Sequence, residues 1–178
     1  MARASGTRRI SSRAGADPDL TEAGEQQAIR AGRLLAGQRL LPYIAHTSQQ
    51  RRAIRSSELA LTACGRDWIP VRRSWRLNGR HYGALQGRDK EELRRDYGEE
   101  QILSWRRSYD AVPAPLAADA SQAASRHYPS LRPEDEPRSE SLRDVTARLL
   151  PYWHDAVVPD LRTGACVLVV SHGNTLRG

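Results

Sequence analysis

Residues 165–174, ACVLVVSHGN, form an apolar run of strand length that breaks abruptly into Ser171, His172 and Gly173. Before it, Leu142, Val145, Leu149, Trp153 and Val157 recur at three and four, which predicts an amphipathic helix ended by Gly164. A second short apolar run, LLPYIAHTS at 40–48, predicts a strand near 43–46, followed by a helix over about 49–62 with Ile54 and Leu61 toward the core. Upstream, DPDLTEAGEQQAIRAGRLLAG offers Thr21 as an N-cap, with Ala28, Ala31 and Leu35 on one face. DKEELRRDYGEEQILSWRRSY reads as one or two polar helices carrying Leu93, Ile102 and Trp105. Helices alternating with buried-type strands predict an α/β fold, a mainly parallel sheet flanked by helices. Ligands bind such sheets beyond the carboxyl ends of the strands, which places His172 and the Thr47–Ser48 turn on one rim.

The length of 178 residues suits one domain with an ordinary core. Lys90 is the only lysine among 28 basic residues, and the net charge of +7 favours anionic partners. So lopsided an Arg:Lys ratio also fits a GC-rich coding sequence, which weakens any inference from charge. Cys64 and Cys166 form neither a disulfide framework nor a metal-ligand spacing, and no metal is expected. No run approaches the roughly 20 apolar residues that span a bilayer, so a cytoplasmic protein with reduced thiols is expected. Residues 1–16 hold four arginines and no acid, without an amphipathic face; they read as a disordered or aberrant segment. The stretch 112–137 is rich in Pro, Ala and Ser and aperiodic, a lid or mobile loop.

A histidine directly after a buried strand and before glycine can turn its ring into a cleft while the small residue admits a ligand to the backbone. A histidine merely satisfied at a strand end fits the same motif. Arg52 and Arg55 open a helix, Arg80 and His81 follow Asn78–Gly79, and Lys90, Arg106 and Arg107 add further cations. Guanidinium forks bind phosphate and carboxylate bidentately, so several arranged together suit a small polyanion. By spacing alone, Asn78–Gly79 reads as a two-residue hairpin turn. No aromatic-interleaved basic stripe accompanies the charge, so no nucleic acid is expected as a partner.

ADPDLTEAGEQQA, TSQQRRAIRS, WIPVRRSWRLNGRHYGALQGRDKEEL, SWRRSYDAVP, SESLRDVTARLLPYWHDAVVP and VLVVSHGNTLRG together resemble the 2,3-bisphosphoglycerate-dependent phosphoglycerate mutases of the histidine phosphatase superfamily, from about residue 17 to 178. The resemblance implies a glycolytic isomerase that interconverts 3-phosphoglycerate and 2-phosphoglycerate through a phosphohistidine, with 2,3-bisphosphoglycerate as primer, no metal, and a possible homo-oligomer. It implies that Arg52 holds the phosphate at the reacting histidine and that Arg80, Tyr82, Lys90, Arg106 and Arg107 bind substrate carboxylate and phosphate. Gly173 and Asn174 would also touch the ligand, and His172 would stabilise the phosphoryl group in flight. His81, beside Arg80, joins the substrate-binding candidates.

Three departures from that family stand out. The family's first strand ends in Arg-His-Gly-Glu, whose histidine is the nucleophile; no such motif occurs here, and no histidine precedes His46. Gly79 stands where the family has the acid/base glutamate, and general acid–base help is worth about 10²–10⁴ in rate. The sequence stops at Gly178, where the family continues with further helix and strand. The expectation is therefore an incomplete domain over 17–178, lacking the first strand and the C-terminal part, and impaired as a mutase. The alternatives are a non-catalytic binder of phosphoglycerate or polyanions and a phosphatase of the same superfamily.

Overall fold

The computed structural model describes residues 17–117, 128 and 130–177. Helix α1 (Glu22–Gly37) begins where Thr21 Oγ1 accepts the Gly24 N–H, and two early acids, Glu22 and Glu25, suit the positive end of its dipole. Strand β1 (Ile44–Thr47) leads through the Ser48 turn into α2 (Arg51–Ala63), and β2 (Val71–Arg73) follows. The two polar helices expected downstream are α3 (Lys90–Tyr97) and α4 (Glu99–Arg107), split at Gly98 with φ 74°. Helix α5 (Leu142–Tyr152) starts with a capping box between Ser141 and Asp144. The chain returns through α6 (Val158–Arg162) to β3 (Val167–Val170).

The three strands are all parallel, as expected of the sheet, in the order β2-β1-β3. Ala45 pairs with Val71 on one side and Leu168 on the other, so β1 is central. Its four residues are all buried. The core around it joins Ala45, Leu61, Cys64 and Ile69, with Leu41 and Leu168 against them. A satellite cluster of Leu85, Leu93 and Ile102 is covered by Tyr82, Tyr97 and Trp105; it includes Leu93, Ile102 and Trp105, the apolar residues expected on the polar helices. His46 is fully buried in β1; its Nε2 lies 2.9 Å from Asp160 and its Nδ1 2.8 Å from the Tyr152 hydroxyl, tying the central strand to α6 and α5.

The structure departs from the sequence reading at four places. On α1 the buried residues are Ala28 and Gly32, whereas Ala31 is exposed; a Cβ on Gly32 would stand 2.2 Å from Ala60 O, so bare backbone is what lets α1 cross α2 closely. On α2 the buried face is Ala53, Ser57, Ala60 and Leu61, with Ile54 half-buried. The single helix read over 142–157 is interrupted by a π-helical turn, Trp153–Val157. There the Val158 N–H reaches back to Trp153 O immediately before Pro159, which has no N–H to continue the normal ladder. Asn78–Gly79 is not a hairpin turn: Asn78 has φ −60°, ψ 152°, and the chain runs on extended from a short 3₁₀ turn, Trp75–Leu77. Of the aperiodic stretch 112–137, residues 118–127 and 129 lie outside the described residues, as do 1–16. Its described parts are partly packed: Leu116 and Tyr128 are buried, and Leu116 N–H bonds to Arg138 O at 2.9 Å.

Candidate functional site

Because β1 and β3 are parallel neighbours, their carboxyl ends deliver the Ser48 turn and His172 to one place. The Ser48 hydroxyl lies 3.2 Å from His172 Nε2. Arg52, the second residue of α2, donates its Nε–H to His172 Nδ1 at 3.2 Å. A guanidinium has no lone pair to offer, so Nδ1 is the accepting nitrogen and the neutral ring carries its hydrogen on Nε2, which donates to Ser48 Oγ. Ser48 Oγ also accepts the Gln50 N–H at 3.3 Å. Gln50 in turn accepts the Gly79 N–H on Oε1 at 2.8 Å. Gly79 completes the wall: a Cβ placed there would meet His172 Cγ at 3.0 Å and Gln50 Oε1 at 3.2 Å.

The electrostatics follow from burial beside a cation. Loss of solvent, reinforced by the Arg52 charge, pushes the His172 imidazole down to about 3, against a smaller opposing pull from Asp17. Arg52 is itself lowered by burial, offset by Asp17. Asp17 is anchored by accepting the Arg51 N–H. Among the described residues Arg52 forms no salt bridge within 4 Å, and the Asp17 carboxylate is the negative charge that acts on it. Thr47 Oγ1 and Gln49 Oε1, in the same turn as Ser48, are buried and lack a hydrogen-bond partner among the described residues.

Of the residues singled out from sequence, Arg52, Gly79 and His172 come together. Tyr82 and Asn174 meet each other, the Asn174 amide donating to the Tyr82 hydroxyl. Arg80 is 5% exposed and stacks on the Tyr82 ring at 5.2 Å, with Nε–H and Nη2–H donating to Glu140 O (2.7 Å) and Ala111 O (2.9 Å). Burial lowers its guanidinium, with Tyr82 and Glu140 opposing. His81 is also buried, its ring Nδ1 accepting the Gly83 N–H at 3.1 Å, and its imidazole is lowered chiefly by desolvation. Gly173 is exposed and its carbonyl accepts from Arg177 Nε–H at 2.8 Å. Arg106 and Arg107 are exposed at the end of α4, and neither hydrogen-bonds to the His172 group among the described residues. Lys90 is the first residue of α3; its side chain lies outside what the structure describes.

Sequence reasoning passed over Ser48, Gln50 and Asp17 as individual contacts, and over Glu140 and Arg148, which brace the stretch around Gly79 from a distance. Spacing had put the Thr47–Ser48 turn on the right rim, but nothing in the sequence pairs residue 48 with 172. No group of three or more His, Cys, Asp or Glu is placed to hold a metal ion among the described residues. Likewise, no described helix is long and apolar enough to cross a membrane.

Residues 3–132 match the family model described as histidine phosphatase superfamily (branch 1). The chain is 58% identical over 164 residues to the 2,3-bisphosphoglycerate-dependent phosphoglycerate mutase of Streptomyces griseus subsp. griseus, covering 91% of this chain and 65% of the relative. It is 54% identical to that of Thermobifida fusca, covering 90% and 66%, and 52% identical to that of Mycobacterium tuberculosis, covering 90% and 65%. The chain thus spans just under two thirds of the length of these relatives. Among solved structures, mycobacterial glucosyl-3-phosphoglycerate phosphatase superposes with a TM-score of 0.66 at 24% identity, covering 96% of this chain and 71% of that one. Phosphoglycerate mutase from Bacillus anthracis superposes at 0.64 with 18% identity, covering 90% and 66%. These two likenesses establish the fold.

Proposed function

From the premise that the chain belongs to the histidine phosphatase superfamily, we propose that the His172 rim is a phosphoglycerate site, inherited from a 2,3-bisphosphoglycerate-dependent mutase. The observation that carries this reading is the Arg52–His172 contact: a half-buried guanidinium, with no ion-pair partner among the described residues, held on an imidazole whose Nε2–H faces a serine at a strand end. A desolvated cation beside a neutral N–H donor is matched to a phosphate group, whose oxygens accept from both. Nearby, Asn174 and Tyr82 supply neutral polar groups for the remainder of a three-carbon acid. The same donor set fits one phosphate of the 2,3-bisphosphoglycerate primer, with Arg52 and His172 as its holders.

The reaction assigned to the mutase relatives is an isomerisation by phosphoryl transfer, which rests on positioning, charge neutralisation and proton transfer. This chain carries the first two in Arg52 and His172. For the third, Gly79 supplies no side chain beside the ring. We therefore place the chain as a phosphoglycerate binder with mutase turnover far below that of its relatives.

Calorimetric titration with 3-phosphoglycerate tests the first part. Binding at millimolar or tighter concentration is expected, weakened about tenfold or more in Arg52→Ala, the loss of one charge-assisted contact. Absence of heat with the wild-type chain would remove the reading. A coupled assay with the bisphosphate present tests the second part, and turnover comparable to a full mutase would overturn it.

A further inference from the structure

The stretch 76–81 belongs to no strand, yet side chains from elsewhere hold its main chain at nearly every residue. Arg148, 7% exposed on α5, donates through Nη1 to Arg76 O (2.5 Å) and through Nη2 to Asn78 O (2.8 Å). Its Nε–H goes to Glu140 Oε1 at 2.6 Å, and Nη2 reaches Glu140 Oε2 at 3.1 Å. Glu140, 3% exposed, spends the same Oε2 on the His81 N–H (2.8 Å), while its backbone takes Arg80 Nε–H at O (2.7 Å) and gives its own N–H to His81 O (2.9 Å). Ser171 Oγ–H donates to Leu77 O (2.5 Å) and Thr175 Oγ–H to Asn78 O (3.0 Å), from either side of His172 in sequence.

We propose that the buried Glu140–Arg148 pair is a positioning device that fixes residues 76–81 so that Gly79 is held close beside the His172 ring and Arg80 over the Tyr82 ring. Its use in ligand binding rests on the phosphoglycerate reading, whereas its effect on His172 does not. A buried ion pair stabilises little relative to an apolar pair of the same volume, because desolvation of both charges offsets their attraction. What an apolar pair cannot do is bond three backbone groups in a segment that has no strand partner. Arginine is suited to this because its planar fork reaches two carbonyls and a carboxylate together; a lysine ammonium at the same place cannot span them. A residue that only filled space would leave the His172 ring indifferent to its replacement by another long cation.

The test uses Arg148→Lys in the full chain, with far-UV circular dichroism as a check on folding and the ¹⁵N shifts of the His172 ring as the readout. The expected result is a folded protein whose His172 no longer holds a single Nε2–H tautomer, together with 3-phosphoglycerate binding weakened about tenfold, the worth of one charge-assisted hydrogen bond. A folded variant with unchanged ring shifts overturns the proposal. If the variant does not fold, hydrogen exchange on the wild-type chain decides: protection of the His81 amide equal to that of β1 amides supports the clamp, and exchange at the rate of exposed loops overturns it. Should wild type bind no phosphoglycerate, the functional reading falls while the ring shifts still judge the positioning role.

Discussion

His172 is a neutral donor because of what surrounds it, and that has a measurable sign. An unfolded histidine titrates near 6.5; the folded His172 sits at about 3, so between those values the unfolded chain binds the extra proton. His46 and His81 are lowered in the same direction, both chiefly by burial. Stability is therefore present in full above about pH 6.5 and is lost as pH falls toward the folded values. Urea midpoints measured from pH 7 down to 4.5 should drop, and should drop less in His172→Gln, which has no ring to protonate. Equal slopes for the two proteins would contradict the assignment. Gly79 offers the complementary experiment. A side chain there needs both the His172 ring and the flexible end of Gln50 to yield by a few tenths of an ångström. Gly79→Glu should then fold and raise the His172 titration, since a carboxylate beside an imidazole favours its charged form. Gly79→Ala, with the same crowding and no charge, should not raise it.

At the level of elements, periodicity and caps located α1, α2, the α3–α4 pair, α5 and the strands β1 and β3 within a few residues, because each signal is local: Thr21 before a helical pattern, Gly164 after one. The edge strand β2 went unread, since Val71–Arg73 is three exposed residues without alternation and exists only through pairing with Ala45, His46 and Thr47. The interior faces were read less well. Gly32 was not among the residues placed on the inner face of α1, yet its bare backbone lies close against Ala60 of α2, a fact set by the partner helix. Gly32→Ala should accordingly destabilise the fold by about 1–3 kcal/mol, as overpacking does, read as a fall in the urea midpoint with unchanged slope. In the site, residue types marked Arg52 and His172, but the bracing by Glu140 and Arg148 crosses from α5 to residues 76–81 and leaves no local trace.

For the molecule as a whole, the central strand finds its two partners at very different times. Ala45 pairs with Val71 close by in the chain, but with Leu168 only after more than a hundred further residues have been made. The Ser48–His172 contact spans 124 positions and depends on that second pairing. Closing so long a loop is costly before any contact rewards it, which makes such topologies slow to fold. On the ribosome, the β1–β2 half of the sheet can assemble while β3 is still being synthesised. The Ser48–His172 contact therefore forms late in translation, and a nascent chain halted anywhere before residue 167 leaves one flank of β1 without its partner strand.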